Sequence, residues 1–234
     1  MTVQGQLLYM LETVARALGD DLRQRLVFVG GCTTALFITD PITLEDVRAT
    51  DDVDLIVDLA GYAEWVQLQE HLREIGFTNS HEDEIICRMR LGELKVDFMP
   101  DNEKIIGFSN RWYARGIETA VTHNLAEDLE IKHLVPTLFV ATKLEAYRGR
   151  GDDDPIGSHD LEDVLLVIDG REELCVEILE ADQDIRTYIA QQFRELQEHR
   201  DFDSFLQGNI RGPAGRVEIA HDRIRALAQC DDVS

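Results

Sequence analysis

Two aspartates, Asp52 and Asp54, stand at the beginning of the segment DVDLIVDL, which otherwise has the composition of a buried strand. Side chains alternate between the two faces of a strand, so both carboxylates point to one face and the intervening apolar residues to the other. Like charges this close repel each other, and the pair is favoured when a cation lies between them. Oxygen ligands favour a hard ion such as Mg²⁺ or Mn²⁺. The same residues also fit an acidic turn that precedes a strand and binds nothing.

A third carboxylate, Asp97, lies in the segment LKVDFMP, where polar and apolar residues also alternate. Alternation assigns the apolar residues of this predicted strand to one face and leaves Lys95 and Asp97 on the other. Upstream, Gly30 and Gly31 separate the β-rich run RLVFV from CTTALFI, whose small and apolar residues are typical of a short buried helix. Backbone N–H groups at such a strand-to-helix turn can hold a phosphate, although many such turns use glycine only for packing.

The elements that position these residues alternate between helix and strand in the first half of the chain. An amphipathic helix precedes RLVFVGG, the helix YAEWVQLQEHLREIGF follows the Asp pair, and EIICRMRLGELKVDFMP indicates two strands joined by a tight turn. From about Pro136 onward the spacing is helical, with Ser158 as a candidate cap, and GRGDDDPIG is a candidate mobile loop. We therefore predict an α/β (α+β) fold, in which a small mixed sheet flanked by helices is followed by a helical C-terminal portion.

Composition limits the partners that this chain can have. Its 234 residues, 44% of them hydrophobic, are enough for a real core. The formal net charge of -23 repels phosphate backbones and anionic membranes, so a nucleic-acid partner would need a local basic patch. No run approaches the roughly 18 apolar residues of a spanning helix, and the four dispersed cysteines suggest neither a disulfide framework nor a zinc site. We expect a cytoplasmic protein with no membrane partner.

In the order Gly-Gly, then Asp-x-Asp, then a single Asp on a later strand, the sequence resembles the nucleotidyltransferase superfamily of the DNA polymerase β type. The segments FVGGCTTALF, TDDVDLIVD, GFSNRWY and KLEAYRGRG…SHDLEDVLLVIDGR are further similar to the AbiEii/AbiGii toxin-like group of bacterial nucleotidyltransferases. With this resemblance we expect residues 1–131 to form a nucleotidyltransferase core. Residues 132–234 would form a helical domain that contributes Lys143 and Asp160 to the site.

The resemblance assigns the metal-binding and catalytic roles to the strand carboxylates. Asp52 and Asp54 match the family's metal-binding Asp-x-Asp, and Asp97 matches its single later carboxylate. One ion on the Asp pair would hold the nucleoside triphosphate, and a second, shared with Asp97, would lower the pKa of the attacking hydroxyl. Gly30 and Gly31 match the turn that binds phosphate.

Further positions receive nucleotide-binding or catalytic roles from the same resemblance. Thr33 stands where relatives commonly carry a small or hydroxyl residue. Lys143 and Asp160 match the Lys and the Asp of two later helical motifs, with Asp163 one turn beyond. Lys143 would supply a point charge to the β and γ phosphates, and Arg148, about one helical turn later, would assist it. Lys143 and Arg148 also fit a solvated helix face.

Two functions of different classes are consistent with these residues. The first is a Mg²⁺-dependent nucleotidyltransferase that moves a nucleoside monophosphate from a nucleoside triphosphate to a hydroxyl of a transfer RNA end or a protein. The resemblance implies a toxin of a toxin–antitoxin or abortive-infection system, with an antitoxin partner. The second is a non-catalytic nucleotide-binding or interaction protein that keeps the fold. The three strand carboxylates favour the enzyme, because a decayed site has no reason to keep like charges together.

Overall fold

The computed structural model describes residues 2–150 and 153–231. It contains two compact units: a sheet unit of residues 1–33 and 49–135, and a helical unit of residues 34–48 and 136–234. The domain boundary expected between residues 131 and 132 stays a prediction, because grouping by compactness does not test which part folds as a separate domain.

The sheet unit is built on one mixed β-sheet. Its strands among the described residues are β1 (Leu26–Val29), β2 (Asp52–Val57), β3 (Arg88–Leu91), β4 (Leu94–Pro100), β5 (Val121–Ala126) and β6 (Leu129–His133). The strand order is β3-β4-β2-β1-β6-β5, with β2 parallel to β4, β1 parallel to β6, and antiparallel pairing elsewhere. The helices of this unit are α1 (Val3–Arg23), α3 (Tyr62–Glu74), α4 (Glu103–Ile106) and α5 (Tyr113–Glu118).

One face of the sheet is apolar and forms the core of the sheet unit. Val53, Leu55 and Val57 alternate along β2 and are at most 1% exposed. Leu55 is the register partner of Phe98 on β4, whose ring packs edge to face against Phe77. Burying this row removes a continuous apolar surface from water, which stabilises the sheet by roughly 25 cal/mol for each Å².

The other face carries the carboxylates and is partly covered by α5. Ile56 points to the same face as Asp54 because the two residues are separated by one position on β2. A Cβ at Gly116 of α5 would overlap the side chain of Leu134 and touch Ile56, so the helix packs closely here. The helix α5 therefore packs on this face at Ile56. The carboxylates lie nearer the N-terminal end of β2.

The helical unit consists of helices packed on one another. Pro136 opens α6, the Ser158 hydroxyl accepts from the N–H of Leu161 at the start of α7, and Gly170 ends α7, all as expected from the sequence. None of the described helices combines the length and apolar character that crossing a bilayer requires. The helices of this unit are α2 (Pro41–Glu45), α6 (Pro136–Arg150), α7 (His159–Gly170), α8 (Leu174–Leu179), α9 (Gln183–Glu198), α10 (Phe202–Asn209) and α11 (Arg216–Leu227).

The predicted fold class is confirmed, with differences in particular elements. A mixed sheet flanked by helices is followed by a helical C-terminal portion, and β1 to β4 match the strands expected from the sequence. The segment expected to be a short helix after the glycines forms the 3₁₀ helix Gly31–Leu36. The hairpin of β5 and β6 was not expected, because β5 is an edge strand with exposed and half-buried residues and no clear alternation. Residues 151–152 of the predicted mobile loop lie outside the described residues.

Candidate functional site

The three strand carboxylates predicted from the sequence come together at one end of the sheet. Asp54 is the register partner of Asp97 on the neighbouring parallel strand, and Asp52 lies two residues earlier on the same face. One oxygen from each of the three side chains lies within 4.8 Å of the other two. Asp97 is 6% exposed, whereas Asp52 and Asp54 are partly exposed. Parallel pairing of β2 and β4 thus turns three residues separated in sequence into one cluster.

The Gly-Gly turn lies directly beside this cluster. Val29, the last residue of β1, is the register partner of Asp54, so the chain turns at Gly30 next to that carboxylate. Gly30 has a φ of 73°, and a Cβ at this position would overlap the carboxylate of Asp54. Both the backbone conformation and the close approach therefore require glycine. The hydroxyl of Thr33, which is fully buried, donates to the carbonyl of Gly30 at 2.9 Å and closes the turn.

Arg88 is a member of the site that sequence analysis did not single out. Its Nε donates to Oδ1 of Asp97 at 2.7 Å, and its Nη2 donates to Oδ2 of Asp97 at 2.8 Å and to Oδ2 of Asp52 at 3.2 Å. Hydrogen bonds with Asp97 raise the pKa of Arg88 above its usual range, although burial opposes them. The sequence does contain a signal for this pairing. The tight turn at Gly92, which has a φ of 60°, places Leu91 opposite Leu94 and therefore Arg88 opposite Asp97.

Three carboxylates concentrate negative charge at this site. Asp52 also accepts a hydrogen bond from the Thr50 hydroxyl at 2.6 Å, and Arg88 provides positive charge to Asp52 and Asp97. The carboxylates also affect the pKa values of two buried thiols, Cys87 and Cys32. Burial raises the pKa of the Cys87 thiol to about 12, and the charges of Asp97 and Asp54 contribute to the increase. Burial also raises the pKa of Cys32, again with contributions from Asp54 and Asp52.

This donor set fits a divalent cation such as Mg²⁺ or Mn²⁺. All three side chains offer carboxylate oxygens, which hard cations prefer, and their spacing allows them to share an ion. The carboxylate of Asp54 also lies against the backbone of Gly30, so the cluster and the Gly-Gly turn are neighbours.

Lys143 and Asp160 belong to the helical unit, where they take part in a buried network of ion pairs. Lys143 is 8% exposed, and its Nζ lies 3.2 Å from Oδ1 of Asp160 and 2.7 Å from Oδ2 of Asp163. Arg48 holds both oxygens of Asp163, each at 3.1 Å. Burial would raise the pKa of Asp163, but Lys143 and Arg48 outweigh it, and the pKa lies below its usual value. The ammonium predicted to contact phosphates is thus held between two carboxylates within its own unit.

Arg148 lies on the last turn of α6 and is exposed. With Tyr147, Gln192 and His199 it borders a pocket of about 180 Å³ inside the helical unit. The nucleotide contacts expected of Lys143, Arg148 and Thr33 remain predictions, as does the combination of Lys143 and Asp160 with the strand carboxylates.

No family model matches the chain, and no curated protein matches it. Among solved structures, it is similar to JHP933 from Helicobacter pylori, with 10% sequence identity and a TM-score of 0.49 over 98% of this chain and 92% of that one. It is also similar to a protein from H. pylori provisionally described as a nucleotidyltransferase, with 12% identity and a TM-score of 0.46 over 97% and 94% of the two chains. Likenesses at this level establish neither a family nor an activity for the chain.

Proposed function

We propose that this protein is a nucleotidyltransferase of the DNA polymerase β type, which moves a nucleoside monophosphate from a nucleoside triphosphate to a hydroxyl acceptor. The observation that carries this proposal is the convergence of Asp52, Asp54 and Asp97 beside the turn at Gly30. Three carboxylates whose oxygens lie within 4.8 Å of one another favour a divalent cation as their ligand. Nucleotidyl transfer needs such a cation because charge accumulates on the triphosphate during the reaction.

The site residues of the sheet unit would bind the metal ion and the triphosphate. Asp52, Asp54 and Asp97 would hold Mg²⁺ or Mn²⁺, which, when bound, neutralises the triphosphate and lowers the pKa of the attacking hydroxyl. The turn at Gly30 and Gly31 would bring backbone N–H groups to the phosphates, since glycine permits a close approach. These groups position the reactants and require no covalent intermediate with the protein.

The helical-unit residues have a less direct part. Asp160 and Asp163 already neutralise Lys143, so a phosphate contact by this lysine would have to compete with two buried ion pairs. We retain Lys143 and Asp160 as proposed catalytic residues and Thr33 and Arg148 as proposed nucleotide-binding residues. A change in KM for the triphosphate in Lys143→Ala, measured on protein that has kept its fold, is the test of the phosphate role.

The acceptor and the biological role belong to the finer part of the proposal. A transfer RNA end or a protein hydroxyl would serve as acceptor, and the resemblance to the AbiEii/AbiGii group suggests a toxin with a cognate antitoxin. The net charge of -23 favours a protein acceptor over RNA, because a phosphate backbone is repelled unless a basic patch receives it.

Incubation with α-labelled nucleoside triphosphates, Mg²⁺ and a cell extract tests this proposal. Label should enter a species that either ribonuclease or protease destroys, and Asp54→Asn should abolish the labelling. Asp58→Asn is a matched control, since Asp58 is an exposed aspartate just after β2 that lies outside the cluster. Labelling that survives in both variants would exclude the strand carboxylates as the catalytic site.

A second function is favoured by the position of Arg88. A guanidinium that already holds two of the three carboxylates suits a protein that keeps the fold and binds a nucleotide or a partner without catalysis. Thermal unfolding combined with the labelling assay separates a nucleotide-binding protein from the enzyme. Nucleotide with Mg²⁺ would stabilise either protein, by roughly 2.7 kcal/mol at a hundred times the Kd, but only the enzyme would also transfer label.

A further inference from the structure

We infer that Arg88 competes with the divalent ion for Asp52 and Asp97, so that the ion binds only when this guanidinium leaves the carboxylates. The inference rests on the proposed function, because it concerns how the proposed metal site is filled. It assigns Arg88 a regulatory part: the arginine keeps the site closed to free metal ions until a triphosphate arrives with them.

The hydrogen bonds of Arg88 occupy the carboxylates that the ion would need. Nε and Nη2 engage both oxygens of Asp97, at 2.7 and 2.8 Å, and Nη2 also reaches Asp52 at 3.2 Å. The second oxygen of Asp52 accepts from the Thr50 hydroxyl at 2.6 Å. Every oxygen of Asp52 and Asp97 is therefore already hydrogen-bonded, and the strongest of these bonds are charge-assisted and bidentate.

Charge makes the two cations mutually exclusive on these carboxylates. A divalent ion such as Mg²⁺ binds carboxylate oxygens at about 2.0–2.1 Å, closer than the guanidinium nitrogens approach them. If the ion and Arg88 shared the same oxygens, two positive charges would lie close together. Water would screen their repulsion poorly, because Asp97 is only 6% exposed. The ion and Arg88 can each neutralise the carboxylates, but one displaces the other.

Arg88 is also placed so that it can leave. β3 stands at the edge of the strand order, and its outer side is bridged to Thr78 at Arg90, two residues from Arg88. The Arg88 side chain keeps 12% of its surface exposed. A triphosphate offers the released guanidinium a new anionic partner, since arginine binds phosphate in the same bidentate manner as carboxylate. Metal ion and nucleotide are therefore expected to bind cooperatively, and the metal ion alone is expected to bind weakly.

Arg90 provides a matched control on the same strand. It lies two residues from Arg88, on the same face, and holds Asp83 in a bidentate pair at 2.7 and 2.9 Å. Asp83 does not belong to the carboxylate cluster. Arg90→Gln thus removes the same charge from the same strand and breaks a pair of the same geometry, but frees no carboxylate of the proposed metal site.

The experiment measures Mn²⁺ binding to the full chain without nucleotide, from the electron paramagnetic resonance signal of free Mn²⁺. We expect Arg88→Gln to bind Mn²⁺ at least ten times more tightly than wild type, and Arg90→Gln to remain within threefold of wild type. Nucleoside triphosphate should tighten Mn²⁺ binding strongly in wild type and much less in Arg88→Gln. Arg88→Lys keeps the charge but cannot hold both oxygens of Asp97. It should fold even if the glutamine variant does not, and its affinity for Mn²⁺ should lie between those of wild type and Arg88→Gln.

Two results would overturn the inference in distinguishable ways. Equal Mn²⁺ affinities in wild type and both Arg88 variants would show that the guanidinium does not compete, while the proposed metal site would stand. Absence of Mn²⁺ binding at millimolar concentration in wild type and in both variants would remove the proposed function and, with it, the inference.

Discussion

The sheet unit and the helical unit each hold a cluster of carboxylates and basic side chains, but the two clusters differ in arrangement and burial. At the sheet, Arg88 is shared by Asp52 and Asp97, and Asp54 lies beside them. In the helical unit, Lys143 and Arg48 face Asp160 and Asp163. The first cluster places three carboxylates within reach of one ion, whereas the second pairs each of two carboxylates with a cation.

The carboxylates of the two clusters also differ in how deeply they are buried. Asp163 is fully buried between its two cations, while Asp52 and Asp54 remain partly exposed. A buried network of ion pairs orders the helices around it, and breaking it leaves a charge without a partner. The three carboxylates at the end of the sheet instead offer oxygen ligands to a cation. We therefore expect the helical cluster to stabilise the fold and the sheet cluster to bind a ligand.

The largest expected effect is loss of transfer in Asp54→Asn. The amide keeps the shape of the side chain but removes the charge that a divalent ion requires, so activity should fall by about a hundredfold or more. The free energy of unfolding should change less than in Asp163→Asn, because Asp54 is partly exposed whereas Asp163 is fully buried. Label transfer and guanidinium unfolding measure the two quantities. Strong destabilisation here would erase the contrast between the units.

Asp163→Asn should show the opposite pattern. The substitution leaves Lys143 and Arg48 short of a buried partner, which should lower the free energy of unfolding by about 3–5 kcal/mol. The Tm should fall by roughly 10 °C for a chain of this size. Calorimetry measures both, and Asp58→Asn, at an exposed position, should leave them unchanged. A Tm within 2 °C of wild type would mean that the network does not hold the helical unit.

The pH dependence of stability should follow the same residue. The pKa of Asp163 in the folded state is lowered, because Lys143 and Arg48 outweigh the effect of burial. Its contribution to stability is therefore complete above the unfolded pKa of about 3.9 and is lost as the pH falls through the folded value. The difference in unfolding free energy between wild type and Asp163→Asn should accordingly shrink below about pH 4. A difference that stays constant from pH 7 to pH 3 would contradict this account.

The smallest effect is expected at the rim of the helical network. Nε of Arg150 lies 3.2 Å from Oδ2 of Asp160 without forming a hydrogen bond, and the arginine side chain is 65% exposed. Water screens such a pair, so Arg150→Ala should change the unfolding free energy by less than about 1 kcal/mol. Chemical denaturation measures the free energy of unfolding of Arg150→Ala and of Asp163→Asn under the same conditions. Similar losses of stability in the two variants would show that burial does not determine the strength of these ion pairs.

Local pattern placed Asp52 and Asp54 on one face of their strand and Asp97 on the polar face of another, because alternation along a strand is a local property. Their convergence depends on the pairing of β2 with β4, which only the family resemblance suggested. Arg88 depends on the pairing of β3 with β4, which the turn at Gly92 does fix, so this residue could have been found by counting back from the turn.

The pairing of Lys143 with Asp163 could not be found in that way. The two residues lie on different helices, and their contact depends on how α6 packs against α7. Helix spacing shows which residues share a face but not which helix covers it. The β5–β6 hairpin was missed for a related reason, because its edge position removes the apolar alternation that identifies a buried strand.

The division of the chain has a consequence for the order in which the protein can fold during synthesis. Residues 34–48 leave the ribosome early but belong to the helical unit, whose other residues begin at 136. Arg48 must wait for Asp163, which is 115 residues further along the chain. Contacts between such distant residues form slowly because a long loop must close first. In a nascent chain that ends before residue 136, the segment between β1 and β2 therefore lacks the helices on which it packs. Chaperones and proteases can bind this exposed segment until translation is complete.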